Sequence, residues 1–170
     1  SAFTTGKSIR SNAMKDDFTW NPQTQGAISS ISMAIDHRFV SSSQGSARHG
    51  VEMILFQNGN FYHRGFGYAE TNTSWETLDS LVENGAPFSE NDFYLMIPGT
   101  GNDETSHPDF SDAGHVIYFG FIAGAHISGV NVHDYDNYVL TINAVPAPCA
   151  SILLASGLAG LLGIRRKKNR

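Results

Sequence analysis

Val51-Glu52-Met53-Ile54-Leu55-Phe56-Gln57-Asn58-Gly59-Asn60-Phe61-Tyr62-His63-Arg64-Gly65-Phe66 is the stretch that decides the fold class. A type I′ turn needs positive φ at both central residues, and Asn-Gly supplies this at low steric cost. Asn58-Gly59 therefore predicts a hairpin joining a strand at Val51–Phe56 to one at Phe61–Phe66. Upstream, Ile31, Met33 and Ile35 alternate with Ser32 and Ala34, the period-two pattern of a strand with one buried face. Downstream, strands are predicted at Phe93–Ile97, His115–Ile122 and Tyr138–Ile142, all rich in β-branched and aromatic residues. Trp75–Val82 reads either as a further strand or as a short helix. No helical pattern long enough to be a crossover separates these segments. The reading is all-β, an antiparallel β-sandwich of jelly-roll-like type. The absence of an internal repeat argues against a propeller or solenoid.

Charge is distributed unevenly. All 16 acidic residues precede Val145, against six basic ones (Lys7, Arg10, Lys15, Arg38, Arg48, Arg64), a formal charge of −10 for that part. Such a surface repels phosphate backbones, so nucleic acid is not an expected partner. The only cysteine, Cys149, lies outside the predicted domain, so packing and not a disulfide must stabilise residues 16–144. That length suffices for one core. Residues 1–15 read as a leader or linker remnant and lack the apolar core of an export signal, which is expected upstream.

Beyond the domain, Val145 to Arg170 reads VPAPCASILLASGLAGLLGIRRKKNR. The run Cys149–Ile164 carries no charge, and as a helix its 16 residues would extend roughly 24 Å, a little short of the ~30 Å hydrocarbon core of a bilayer. Arg165, Arg166, Lys167, Lys168 and Arg170 follow it directly. A basic cluster abutting a span stays on the cytoplasmic side, which leaves residues 1–144 outside. The sequence thus predicts a single C-terminal transmembrane helix at 149–164 and a basic stop at 165–170.

The order Pro-x-Pro motif, short apolar helix, basic terminus resembles the PEP-CTERM sorting signal of bacterial envelope proteins, with Val145, Pro146, Ala147 and Pro148 at the motif position. Ala147 stands where the family usually has Glu. The resemblance implies processing by an exosortase, a membrane-embedded cysteine peptidase that removes the helix and delivers the mature protein to the surface or extracellular matrix. The implied route is inner-membrane insertion with a cytoplasmic C-terminus, then release to the surface. A plain C-terminal anchor, its prolines merely ending a helix, is the competing reading. More weakly, Asp17–Pro22, Phe56–Tyr62, Asp109–Ser111 and Asp136–Ile142 resemble jelly-roll domains of such proteins. Related carbohydrate-binding sandwiches pair their first and last strands and often hold a structural calcium nearby.

Candidate sites are few. Asp134, Asp136 and Asn137 space hard oxygen donors closely, and Asp16 and Asp17 would complete a calcium shell if the two ends of the domain met. Turn-forming Asp and Asn account for the same letters, and no EF-hand pattern is present. No motif requires a cofactor. Gly99–Asp109 is the longest polar stretch, either a binding loop or a solvated crossover. His115, His126 and His133 fit no zinc spacing. Trp20, Trp75, Tyr62, Tyr68 and Tyr118 would stack on sugars if exposed in a row, and otherwise belong to the core. Asn72-Thr73-Ser74 matches a glycosylation sequon. No nucleophile elbow occurs. Glu52, Glu70, Glu76, Glu83, Glu90 and Glu104 supply carboxylates without singling out a glycosidase pair. The expected protein is a non-enzymatic surface or matrix component. A carbohydrate-binding module that ties the envelope to extracellular polysaccharide is the first alternative, and an envelope glycan hydrolase the second.

Overall fold

In the computed structural model, Asn58 (φ 48°) and Gly59 (φ 82°) both lie in the left-handed region, as the type I′ hairpin demands. The turn sets Phe56 opposite Phe61 and Gln57 opposite Asn60. The structure describes residues 9–43, 49–98, 100–125 and 130–145, with the side chains of 9–17 and 125 outside that description. A Cβ on Gly59 meets nothing within 4 Å, so Gly59→Ala is expected to cost only the backbone strain of positive φ. That is about 1 kcal/mol, read as a lowered urea midpoint at unchanged slope.

Among the described residues nine strands run β1 (Ile9–Trp20), β2 (Ile28–Ser42), β3 (His49–Gln57), β4 (Asn60–Ala69), β5 (Glu76–Asp79), β6 (Tyr94–Ile97), β7 (Gly101–Asp103), β8 (Ile117–Ala125) and β9 (Asn131–Ala144). Two short helices interrupt them, α1 (Pro22–Gln25) and α2 (Ser80–Asn84). The strands form a six-stranded sheet, β1-β8-β3-β4-β6-β7, and a three-stranded one, β5-β2-β9. Every named pairing is antiparallel. The sheets share one core: Ile31, Met33 and Ile35 from β2 meet Val51, Met53 and Leu55 from β3, with Ile117 and Phe119 of β8. The alternation predicted for Ile31–Ile35 is real, and each of the three is at most 1% exposed.

Trp75–Val82 contains both alternatives in succession. Glu76–Asp79 pairs with β2, and then the Asp79 carboxylate accepts the Leu81 N–H at 2.8 Å and caps α2. Ser80 is fully buried, and its hydroxyl accepts the Met33 N–H at 2.8 Å, which pins α2 to β2. The polar stretch Gly99–Asp109 folds back instead of crossing open solvent. Within it β7 pairs with β6, the Leu95 N–H reaches the Ser106 carbonyl, and the His107 Nδ1 lies 2.8 Å from the Phe93 carbonyl. Buried Gln57 clamps the end of that stretch, donating to the Asp109 and His115 carbonyls and accepting the Asp109 N–H.

The first strand begins at Ile9, ahead of the expected domain start at residue 16. First and last strands do not pair: β1 is bonded to β8, and β9 to β2 in the other sheet. Pairing of β9 with β2 shifts register between Ala34 and Asp36, opposite Val139 and Asp136, where Asn137 takes φ 49°. This bulge adds one residue to β9 and reverses its parity. Tyr135 therefore packs against the core before it, and Tyr138, Leu140 and Ile142 after it.

Candidate functional site: an acidic cleft and the base of the tail

Of the sorting motif, Val145 lies among the described residues, while Pro146, Ala147, Pro148, the run 149–164 and the basic residues 165–170 lie outside them. The Val145 N–H still donates to the Ala27 carbonyl at 2.8 Å, extending the β2–β9 ladder by one bond. Gly26 (φ 95°) makes that approach feasible, since a Cβ there would meet the Val145 carbonyl oxygen at 3.0 Å. No helix among the described residues is long and apolar enough to cross a membrane.

The residues expected to gather around calcium are only partly described, since the side chains of Asp16 and Asp17 lie outside the description. Asp16 and Asp17 stand in β1 and Asp134, Asp136 and Asn137 in β9, strands that belong to different sheets. Asp134 takes two hydrogen bonds from Arg38, at 2.8 and 3.0 Å. Asp136 accepts the Asn137 N–H at 2.8 Å, and the Asn137 amide donates to Asp36 at 2.7 Å. The Thr77 hydroxyl, foremost, and that amide hold the Asp36 carboxyl below its ordinary range. Among the described residues no three His, Cys, Asp or Glu are grouped to hold a metal ion.

The aromatic candidates divide. Tyr62 is buried, and half-buried Trp20 donates its indole N–H to the Gly26 carbonyl at 2.8 Å. Tyr68, Trp75 and Tyr118 are exposed but do not form one row. Trp75 carries the Arg38 guanidinium 4.8 Å above its ring. Tyr118 joins a row the sequence analysis did not single out, with Phe61, Phe56 and Tyr118 side by side across β4, β3 and β8. Their ring centroids are 4.8 and 6.1 Å apart, with the planes tilted by 44° and 53°.

Of the histidines, His126 lies outside the described residues, His115 contributes its carbonyl to Gln57, and His133 lies against His49 with centroids 4.0 Å apart and planes tilted by 34°. The His49 Nδ1 and the Tyr135 hydroxyl share a 2.9 Å hydrogen bond between the two sheets. Burial, and then the neighbouring His133, bring the His49 pKa down to about 4. Burial also pushes the Tyr135 phenol above its ordinary range.

A cleft of about 610 Å³ opens where β4 passes the β5–α2 segment, lined by His37, Tyr68, Glu70, Glu76, Thr77, Leu78 and Glu83. Three of the six glutamates noted in the sequence thus meet at one place. The remaining three lie elsewhere; Glu52, for example, shares a 2.6 Å hydrogen bond with His63 Nδ1. Local turns aim the lining. Phe39 donates its N–H to the Asn72 carbonyl at 2.7 Å, the Asn72 side chain accepts the Ser74 N–H, and its amide donates to Glu76. Asn72, the sequon residue, is therefore engaged within the protein. His37 stands opposite Glu76 on β2. It is only 3% exposed, and its Nδ1 has no hydrogen-bond partner. Burial lowers the His37 pKa, against the opposing pull of Glu76, Glu70 and Asp36, so the imidazole is neutral near pH 7. His37 was not legible as a site residue, because nothing in its local pattern separates it from any inward-facing strand position. Among the described residues the cleft's lining brings three carboxylates and one imidazole together.

No family model, no curated protein and no solved structure matches this chain.

Proposed function

We propose that this chain is an exported, non-enzymatic surface or matrix protein whose jelly-roll-like domain is delivered by its C-terminal tail. In this reading 149–164 is a membrane helix, 165–170 its cytoplasmic stop, and Val145–Pro148 the signal for an exosortase. The observation that carries it is the tail's own order: Pro-x-Pro, an uncharged run of 16 residues and five basic residues among the last six. Support also comes from the end of the domain. Among the described residues Val145 makes the last ladder bond, so a peptidase acting beyond it would leave the described strands whole. The nested pairs β2–β9 in one sheet and β3–β8 in the other favour the jelly-roll-like description.

The test is intact mass and fractionation of the protein, expressed with an export signal, in its native host and in an exosortase-deficient strain. The native host is expected to release a species ending near Pro146–Pro148, and the deficient strain to hold the full tail in its membrane. Retention of residues 149–170 in both reduces the tail to an anchor. Pro146→Ala with Pro148→Ala is expected to reproduce the deficient strain's retention. The Phe61–Phe56–Tyr118 row, exposed at its two outer rings, favours a second reading, a module that binds polysaccharide, since aromatic faces are what sugar rings stack upon.

A further inference from the structure

We infer that the end of the sandwich where β3 begins is a pH-sensitive latch, in which protonation of His49 releases the β2–β9 ribbon from the six-stranded sheet while the rest of the core stays folded. The two sheets meet there through rings. His49 opens β3, and across the interface its Nδ1 shares the 2.9 Å hydrogen bond with the Tyr135 hydroxyl of β9. The His133 ring, on the same strand as Tyr135, lies 4.0 Å from the His49 ring between centroids. Phe39 of β2 meets His133 edge-on at 5.4 Å, and Phe121 of β8 meets Tyr135 at 5.6 Å. A proton on His49 puts charge into a partly buried contact, directly against a second imidazole. Once both rings are charged they repel at close range. Burial and the neighbouring His133 accordingly keep His49 neutral in the closed form.

The groups sharing this face among the described residues are His133 and Tyr135 from β9, His37 and Phe39 from β2, Ala69 from β4 and Phe121 from β8. None is a carboxylate that would hold the proton in place. Glu52 alternates to the other face of β3, where it bonds His63, and Asp134 to the other face of β9, where it bonds Arg38. Glu76, Glu70 and Asp36 act on His37. Arg48 and His126 lie outside the described residues. The backbone supplies a hinge, because register between β2 and β9 breaks between Ala34 and Asp36, where Asn137 takes φ 49°. Beyond that break, residues 131–135 with 37–42 form the ribbon that carries Phe39, His133 and Tyr135. Before it, Ile31, Met33 and Ile35 remain packed on Val51, Leu55, Ile117 and Phe119. Val145 keeps its bond to Ala27 at the other end of β9, so the latch does not depend on how the tail is processed.

Thiol trapping in the full chain, in neutral detergent and with Cys149→Ser as background, tests the latch. Ala69→Cys places a thiol opposite His49, and Ile117→Cys places one at the far end of the core, both at positions 0% exposed. Labelling by 4,4′-dithiodipyridine, referred to free cysteine at the same pH, gives the open fraction at each. With His49 at an ordinary 6.5 when open and about 4 when closed, the open fraction at 69 is expected to rise from pH 7.5 to 4.5. After allowance for screening of a half-buried ring, the rise is about 30-fold. Labelling at 69 is expected to be at least tenfold faster than at 117 and nearly insensitive to low urea, since a local opening exposes little surface. Truncation at 117 can only speed labelling there, so it works against the expected contrast. His49→Phe is expected to hold the fraction at 69 near its pH 7.5 level, with slow labelling at 117 showing that the variant is folded. The inference is overturned if both thiols open equally with the same urea dependence, if the fraction at 69 does not rise in acid, or if His49→Phe leaves that rise unchanged.

Discussion

Phe93→Ala is expected to cost about 4 kcal/mol of stability, the largest loss from any single truncation considered for this fold. Phe93 is 0% exposed and sits just before β6. Its ring meets Phe88 edge-on at 5.8 Å and Phe110 at 6.1 Å. Phe88 in turn exchanges two 2.8 Å backbone hydrogen bonds with Ile31, so this cluster ties the six-stranded sheet's loops to the three-stranded sheet. Truncation removes the transfer free energy of the ring and leaves a cavity that surrounding strands are too constrained to fill. The Phe93 N–H and carbonyl keep their bonds to Glu90 and His107, so the loss belongs to the side chain alone. Urea unfolding measures it, with Phe61→Ala, on a 40% exposed ring, as a comparison that should lose about 1 kcal/mol or less. A loss below about 1 kcal/mol for Phe93→Ala would show that the two sheets do not share a continuous core at this point.

Mild acid in the range where histidines take up protons is expected to destabilise the fold. The His49 pKa falls from an ordinary 6.5 to about 4 in the folded chain, through burial first and His133 second. A folded value below the unfolded one means that the unfolded chain takes up the proton more readily. The contribution of His49 is therefore fully present above about pH 6.5, is lost as pH falls toward 4, and changes no further below that. For a half-buried imidazole, discounted for solvent screening, the loss is roughly 2 kcal/mol. His37, lowered by its own burial, acts in the same direction. Asp36 is also lowered, but from 3.8, so its contribution disappears only at more acid pH and separates from the histidine window. Unfolding free energy from urea curves between pH 7.5 and 4.5 reads the slope. His49→Phe is expected to flatten it, and an unchanged slope in that variant would remove His49 as its source.

These effects also indicate what one sequence can disclose. Local signals sufficed where a single turn or period governs the backbone, as at Asn58-Gly59 and in Ile31–Ile35. They fell short where a longer-range contact decides. Trp75–Val82 satisfied both a strand and a helix pattern because it is both, divided where Asp79 finds the Leu81 N–H. The three-residue strand β7 holds no apolar run, since Gly101, Asn102 and Asp103 owe their pairing to Leu95, Met96 and Ile97. The β9 bulge moved the inward positions from Tyr135 to Tyr138 and hid a 14-residue strand behind its last few residues. The cleft was least legible of all. Its lining comes from β2, β4, β5 and α2, and only the pairing of His37 with Glu76 across sheet register brings a histidine at 37 beneath glutamates at 70, 76 and 83.

That bulge has one more consequence. Among the described residues β9 pairs only with β2, so it forms one margin of the three-stranded sheet. A long flat margin of unsatisfied amides and carbonyls invites strand-to-strand fusion with a neighbouring molecule, the first step of fibre growth. Here Asn137 twists the margin midway, and Asp136 puts negative charge beside the kink. Two copies meeting at this margin would present mismatched ladders and like charges, which works against strand-to-strand fusion.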